Sequence, residues 1–272
     1  MKELPKTIGS KRNRSLLHFY LRFLYRSLSY TGFFSTKIGM YSYGFFYNLF
    51  KDFTEGKKWN YVCNLIQTNS IVIDAGSNIG AFTKYVIKKQ NNLDIKIFAI
   101  EPEPQNIKSF ELFYSKEIRE DRINLVKKAV TEEAGNYNLY IDLCNPGGHL
   151  IASTGIPVKG ITIDDLMKNE KKHVSLIKID VEGYEAEAIK GAVKTINDNH
   201  PNIFIEYNPF FLQESGTDPI QFLNQMIERG YKMFTFSKNS NITESSVNEI
   251  FEKTTKDGWT DILMTYHPSL NM

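Results

Sequence analysis

The sequence predicts an α/β fold, a mostly parallel sheet flanked by helices, preceded by a helical extension of different composition. Three observations carry this expectation. After Trp59, short β-branched runs alternate with helix-length stretches, as repeated right-handed βαβ crossovers require. The runs IVIDA (71–75) and IFAI (97–100) are almost wholly apolar, which suits strands covered on both faces. Before Trp59 the chemistry differs: residues 1–50 hold 13 of the 36 aromatic side chains, eight of the 33 basic ones and one of the 31 acidic ones. That segment therefore carries +7 and the remainder −5, a division concealed by the net charge of +2. The chain reads as a basic, aromatic-rich extension over 1–58 and a second domain over 59–272.

Composition narrows the classes. A 42% hydrophobic share in 272 residues fills a core, and 24% charged residues is ordinary, so disorder and fibres are excluded. The near-neutral sum excludes a strongly basic nucleic-acid binder. Cys63 and Cys144 form no metal-spaced cluster, which predicts a reducing, cytoplasmic setting and no disulfide framework. No run reaches the ~18 apolar residues of a membrane span, and no cleaved signal peptide is expected.

Residues 1–14 read as a polar basic lead-in. In 15–30 (SLLHFYLRFLYRSLSY), His18, Arg22 and Arg26 recur at four-residue steps, giving a helix with a basic stripe and a wide aromatic-aliphatic face. Such a helix suits an anionic membrane surface, possession of which would make the protein peripheral on the inner face of a membrane; a cap on the domain is the other reading. Aromatic density then continues through Phe50. The regular alternation follows: strand 71–75, helix about 79–89, strand 95–100, helix about 104–116 and strand 123–130. Residues 137–143 and 158–163 read as short strands about the loop Asn145-Pro146-Gly147-Gly148. Strand 174–180, helix 184–197, strand 203–207, helix about 218–229 ended by Gly230, and strands 231–236 and 261–266 complete the chain.

The candidate site lies where ligands bind in open α/β sheets, outside the carboxyl ends of the strands. At the first such end, Asp74-Ala75-Gly76-Ser77-Asn78-Ile79-Gly80 gives a G-x-x-x-G turn rather than a dinucleotide fingerprint, with Asn78 where the second glycine would stand. Gly76 would let backbone approach a ligand, Ser77 or Asn78 would cap the helix, and Gly80 would permit tight packing onto the strand. Asp74 would repel a phosphate and accept hydrogen bonds from an amino-bearing ligand. Glu101, ending the second strand, is placed for both hydroxyls of a ribose. These features describe a pocket for adenosine plus an amino acid, without a pyrophosphate.

The segments VIDAGSNIG (72–80), AIEPEPQN (99–106), ITIDDLM (161–167), LIKIDVEGYEAEAIKGA (176–192) and IFIEYNP (203–209), in this order over about residues 60–267, resemble the FkbM-type family of class I methyltransferases. The resemblance implies a Rossmann-like, seven-stranded, mostly parallel sheet with an antiparallel last strand pair. It also implies that S-adenosylmethionine binds at Asp74, Gly76, Ser77, Asn78, Gly80 and Glu101, and that a methyl group passes to an oxygen, commonly a sugar hydroxyl. Ser77 departs from the smaller residue expected in much of the family.

Methylating a neutral hydroxyl needs a base to take its proton. Asp180 is the first choice, with Glu182 as positioning residue or alternative base and His149 as a further alternative, since imidazole titrates near neutrality. Glu206, Tyr184 and Asn208 are expected to contact the acceptor, a sugar or glycoconjugate. Without a DxD or HxxxH cluster, the carboxylates at this rim do not make a metal site expected. A non-catalytic glycan- or protein-binding module on the same scaffold, and a methyltransferase with a natural-product acceptor, are the alternatives; no nucleic-acid partner is expected.

Overall fold

The computed structural model describes residues 31–33, 36–89, 94–142, 148–237 and 240–267. The expected helix over 15–30 and Cys144 lie outside the described residues.

A 27-residue helix, α1 (Lys37–Cys63), begins at Thr36, whose hydroxyl accepts the Gly39 N–H at 3.0 Å. The alternation follows: β1 (Ser70–Ala75), α2 (Ala81–Lys89), β2 (Lys96–Ile100), α3 (Pro104–Phe113), α4 (Ser115–Arg119) and β3 (Ile123–Val126). Next come β4 (Ala129–Val130), β5 (Gly135–Tyr140), β6 (Leu150–Ala152), β7 (Ile156–Ile161) and α5 (Ile163–Met167). The chain ends with β8 (His173–Ile179), α6 (Glu185–Lys190), α7 (Val193–Asn199), β9 (Asn202–Tyr207), α8 (Pro209–Ser215), α9 (Pro219–Glu228), β10 (Tyr231–Phe236), β11 (Ile242–Glu244), α10 (Val247–Asp257) and β12 (Thr260–Tyr266). The expected domain boundary at 58/59 falls within α1, so one helix runs from the basic extension into the α/β unit.

The main sheet has eight strands rather than seven, in the order β11-β10-β12-β9-β8-β1-β2-β3. The five from β9 to β3 are parallel, and β12 runs antiparallel between β9 and β10. The extra strand, β11, is a short edge partner of β10. Residues 129–161 build a second, four-stranded sheet in the order β4-β7-β5-β6. The expected strand 123–130 is therefore two, divided at a turn where the Lys128 N–H donates to Val126 O, with one part in each sheet. The expected helix 184–197 is also two, divided at Gly191 and Ala192, where Gly191 lies against the backbone of Thr131. A Cβ there would stand 2.3 Å from Thr131 O.

β1 is buried throughout and β8 from Val174 onward, as near-continuous apolar runs require between two helical layers. Side chains of Ile71, Ile73, Ile177, Ile203 and Ile205 enter one core, under α6, α7, α9 and α10. Val72, Leu176, Phe204 and Leu263 enter the other, with Trp59 and Val62 of α1 and Phe82 of α2. Strand order diverges between β1 and β8, opening the crevice at their carboxyl ends. Because β12 is antiparallel, its first residues reach the same edge.

Candidate active site

On the α1 side of the sheet, Asp74 and Lys178 are register partners on adjacent parallel strands. Lys178 Nζ lies 3.0 Å from Gly76 O, 3.3 Å from Asp74 Oδ1 and 3.4 Å from Asp180 Oδ2. This buried ammonium ties the two central strand ends together. Burial opposes its charge, yet Asp74 and Asp180 outweigh that and raise its pKa to about 12.

Asp74 has a structural duty beside the expected one. Its carboxylate has no exposed surface, and it accepts the Thr83 hydroxyl at 2.7 Å while facing Lys178. A charge in so apolar a core demands an internal cation, so Asp74 and Lys178 together hold the strand ends. Gly76 has a structural duty as well. At φ +75°, a Cβ there would stand 1.9 Å from the Asp180 carbonyl oxygen, so glycine is needed where the two loops touch each other. Gly80 packs not on the strand but on the Tyr114 ring, and its carbonyl accepts the Tyr114 hydroxyl at 2.6 Å.

The G-x-x-x-G turn and Glu101 do converge. The carboxylate of Glu101 accepts the Asn78 N–H at 2.8 Å and the Glu103 N–H at 2.9 Å, with the Asn106 amide at 3.4 Å. Burial pushes its pKa up to about 7 against the pull of those backbone donors. A carboxylate offers about four acceptor positions, so these three donors leave one for a ligand hydroxyl. Of the two expected caps, Asn78 turns its oxygen back to the Ile79 N–H at 2.8 Å. Ser77 caps nothing: its hydroxyl is buried and has no hydrogen-bond partner. The orphaned Ser77 hydroxyl and the buried Glu101 carboxylate are polar groups of the kind an adenosine-bearing amino acid would pair.

The acceptor candidates divide. Asp180 follows β8, its side chain 31% exposed at the open edge. Glu182 sits at φ +52° in the same loop, and Glu206 ends β9 beside Asp261 of β12. Burial, followed by the charge of Asp180, raises the pKa of both Glu182 and Glu206 well above the carboxylate range. Alternation along β8 alone does not align these acids, because the strand stops at Ile179. His149 stands near Glu103 and Asp142 instead; burial lowers its pKa, and its Nδ1 accepts the Asp142 N–H at 3.2 Å. A neutral ring so engaged presents an N–H at Nε2, a donor rather than a base. Tyr184 feels Glu187 and Tyr137. Asn208 caps α8, its Oδ1 accepting from the Phe210 and Phe211 N–H groups at 3.1 and 3.3 Å.

Several residues escaped the sequence reading. Glu185 is 2% exposed and accepts the Val181 and Gly183 N–H groups at 3.2 and 3.1 Å, fixing the loop that carries Asp180 and Glu182. Burial raises its pKa to about 7. From α1, Lys58 pairs with both Glu55 and Asp261. Lys51 lies beside the rings of Tyr47 and Trp59. Burial opposes the charge of Lys51, but Tyr47, Asp180, Glu55 and Glu206 raise its pKa. Tyr47, Lys51, Glu55 and Lys58 recur at four, four and three residues, a helical stripe visible in the sequence. Among the described residues, no group of three His, Cys, Asp or Glu side chains is arranged to hold a metal ion.

Residues 74–233, more than half of the chain, match the methyltransferase FkbM domain. No curated protein matches. Among solved structures, an FkbM methyltransferase from Methylobacillus flagellatus KT is 17% identical, with 74% of this chain and 45% of that one covered at a TM-score of 0.48. This chain thus spans less than half the length of that protein. An rRNA methylase from Streptococcus thermophilus is 11% identical, covering 78% and 96% at 0.41. The methyltransferase PaMTH1 from Podospora anserina, bound to SAH, is 12% identical, covering 73% and 72% at 0.41. By its match from Asp74 through β10, the chain belongs to the methyltransferase FkbM domain family.

Proposed function

We propose that the protein is an O-methyltransferase acting on a sugar hydroxyl of a glycan or glycoconjugate. The methyl donor of the family is S-adenosylmethionine, which when bound supplies a methyl group on a sulfonium. In this reading Glu101 accepts a ribose hydroxyl, and Ser77, with the turn from Gly76 to Gly80, lines the remainder of the cofactor site.

The observation that carries the reading is Asp180. It stands at the open edge, paired with Lys178 at 3.4 Å, and Glu182 and Glu206 crowd beside it. Crowded like charges favour the neutral form of the two glutamates, so they can donate hydrogen bonds to a polyol. Asp180 takes the hydroxyl proton. Lys178, fixed by Asp74 and Gly76 O, holds that carboxylate in place. A rim of neutral carboxyl groups that can both donate and accept suits a polyhydroxylated acceptor.

Two measurements test this. Calorimetry should detect S-adenosylmethionine, and mass spectrometry of cell-surface glycans with and without the gene should show a one-methyl difference. Failure to bind the cofactor removes the enzymatic reading in favour of a binding module. A methyl difference confined to small natural products moves the acceptor.

A further inference from the structure

The inward side of α1 joins the active-site rim, and its outward side is unlike the rest of the surface. Tyr41, Phe45, Leu49 and Phe53 form one row at four-residue steps, exposed by 54, 66, 56 and 91%, with Ile38 and Phe46 beside them at 74 and 64%. With about 200 Å² for each fully exposed large side chain, the face presents on the order of 800 Å² of apolar surface. The largest such patch on an ordinary monomer is about 300–600 Å².

The row does not end in apolar residues. Lys37 precedes Tyr41 by four positions and Lys57 follows Phe53 by four, and both are exposed. The only acids of α1 are engaged elsewhere: Asp52 with Lys84 at 2.9 Å, and Glu55 with Lys58. An apolar row closed at both ends by lysines matches the boundary between acyl chains and anionic headgroups, where lysine stems lie along the apolar layer and ammonium groups reach the phosphates. A second copy fits less well, because a two-fold interface on this row would bring the Lys37 and Lys57 ammonium groups of two chains together.

We propose that the outward face of α1 docks the protein onto an anionic lipid surface. Docking would hold the rim residues Tyr47, Lys51 and Glu55, on the other side of the same helix, close to that surface. The proposal does not depend on the acceptor.

The test is flotation of the full-length protein with vesicles of phosphatidylcholine alone and of phosphatidylcholine mixed with phosphatidylglycerol. The wild type should float with the mixed vesicles and less with the neutral ones. The double variant Phe45→Ser/Phe53→Ser should partition at least about tenfold more weakly, and Lys37→Glu/Lys57→Glu should lose the preference for phosphatidylglycerol. Unfolding temperature and S-adenosylmethionine binding report that both variants are folded, and they separate this proposal from the catalytic one. A wild type that stays at the bottom overturns the proposal, as do variants that float like the wild type while deletion of residues 1–30 abolishes flotation. Sedimentation showing a dimer that Phe45→Ser/Phe53→Ser converts to monomer would instead assign the face to a second copy.

Discussion

At its proposed cofactor end the site is made by neighbours in sequence, whereas its proposed acceptor end is assembled from distant segments. Asp74 to Gly80 form one strand-to-turn-to-helix passage, and Glu101 closes it through the backbone amides of Asn78 and Glu103. The acceptor end draws Asp180 and Glu182 from the β8 loop, Glu206 from β9, Asp261 from β12 and Lys51 from α1. Backbone amides cannot titrate and move little; opposing side chains can do both. The first end should therefore tolerate changes at the second, and the two should respond to different perturbations.

The sharpest break in that comparison is Asp180→Asn. Loss of a general base lowers turnover by about 10²- to 10⁴-fold, while S-adenosylmethionine affinity should stay as in the wild type, read by calorimetry beside a steady-state assay. If Asp180→Asn keeps its turnover and Glu182→Gln loses it, the base is Glu182. Next in size is Lys178→Met, which acts on both ends at once by leaving Asp74 buried and uncompensated. Removing one partner of a buried pair costs about 3–5 kcal/mol, measurable by denaturant unfolding, and Asp74→Asn in the Lys178→Met background should recover part of it. No recovery would mean that the lysine acts through Gly76 O alone.

A smaller effect belongs to the cofactor end. With a pKa of about 7, Glu101 gains a proton as pH falls through that value and loses acceptor capacity for a ribose hydroxyl. The dissociation constant for S-adenosylmethionine should then rise by up to about tenfold per pH unit below 7, and Glu101→Gln should flatten the profile. Stability runs the other way. Between the ordinary carboxylate value and about 7 the folded protein holds a proton that the unfolded chain has released, so lowering the pH across that window stabilises the fold without cofactor. Glu185, raised for the same reason, adds to this trend.

The same contrast governs what could be read from the sequence. Strand β10 at 231–236 and the start of α9 at Asp218-Pro219 were legible because their signals are local. So was the meeting of Glu101 with the turn at 76–80. Helix α1 was obscured because both of its faces carry aromatic residues, which blurs a single-stripe pattern. α10 went unread over a polar stretch although its capping box, Ser246 with Glu249, is a sequence signal. The pairing of Asp74 with Lys178 was not legible, because the two are 104 positions apart and register between parallel strands leaves no local trace. Lys178 itself carried a clue: a lysine inside the apolar run LIKI needs a buried anion.

Ser77 gives the smallest effect and the most direct reading of the cofactor end. Its hydroxyl is buried without a hydrogen-bond partner, a condition that costs about 1–3 kcal/mol. Ser77→Ala removes the cost without creating a cavity of consequence. The cofactor-free protein should therefore become more stable, by about 1 kcal/mol, or a few degrees in unfolding temperature. If the orphaned hydroxyl is there for the cofactor, the same variant should bind S-adenosylmethionine about fivefold more weakly, since one neutral hydrogen bond is worth roughly 1 kcal/mol. Opposite signs in the two measurements would identify a polar group kept at the expense of the empty state. A gain in stability with unchanged affinity would make Ser77 a bystander and leave Glu101 as the polar anchor of the turn.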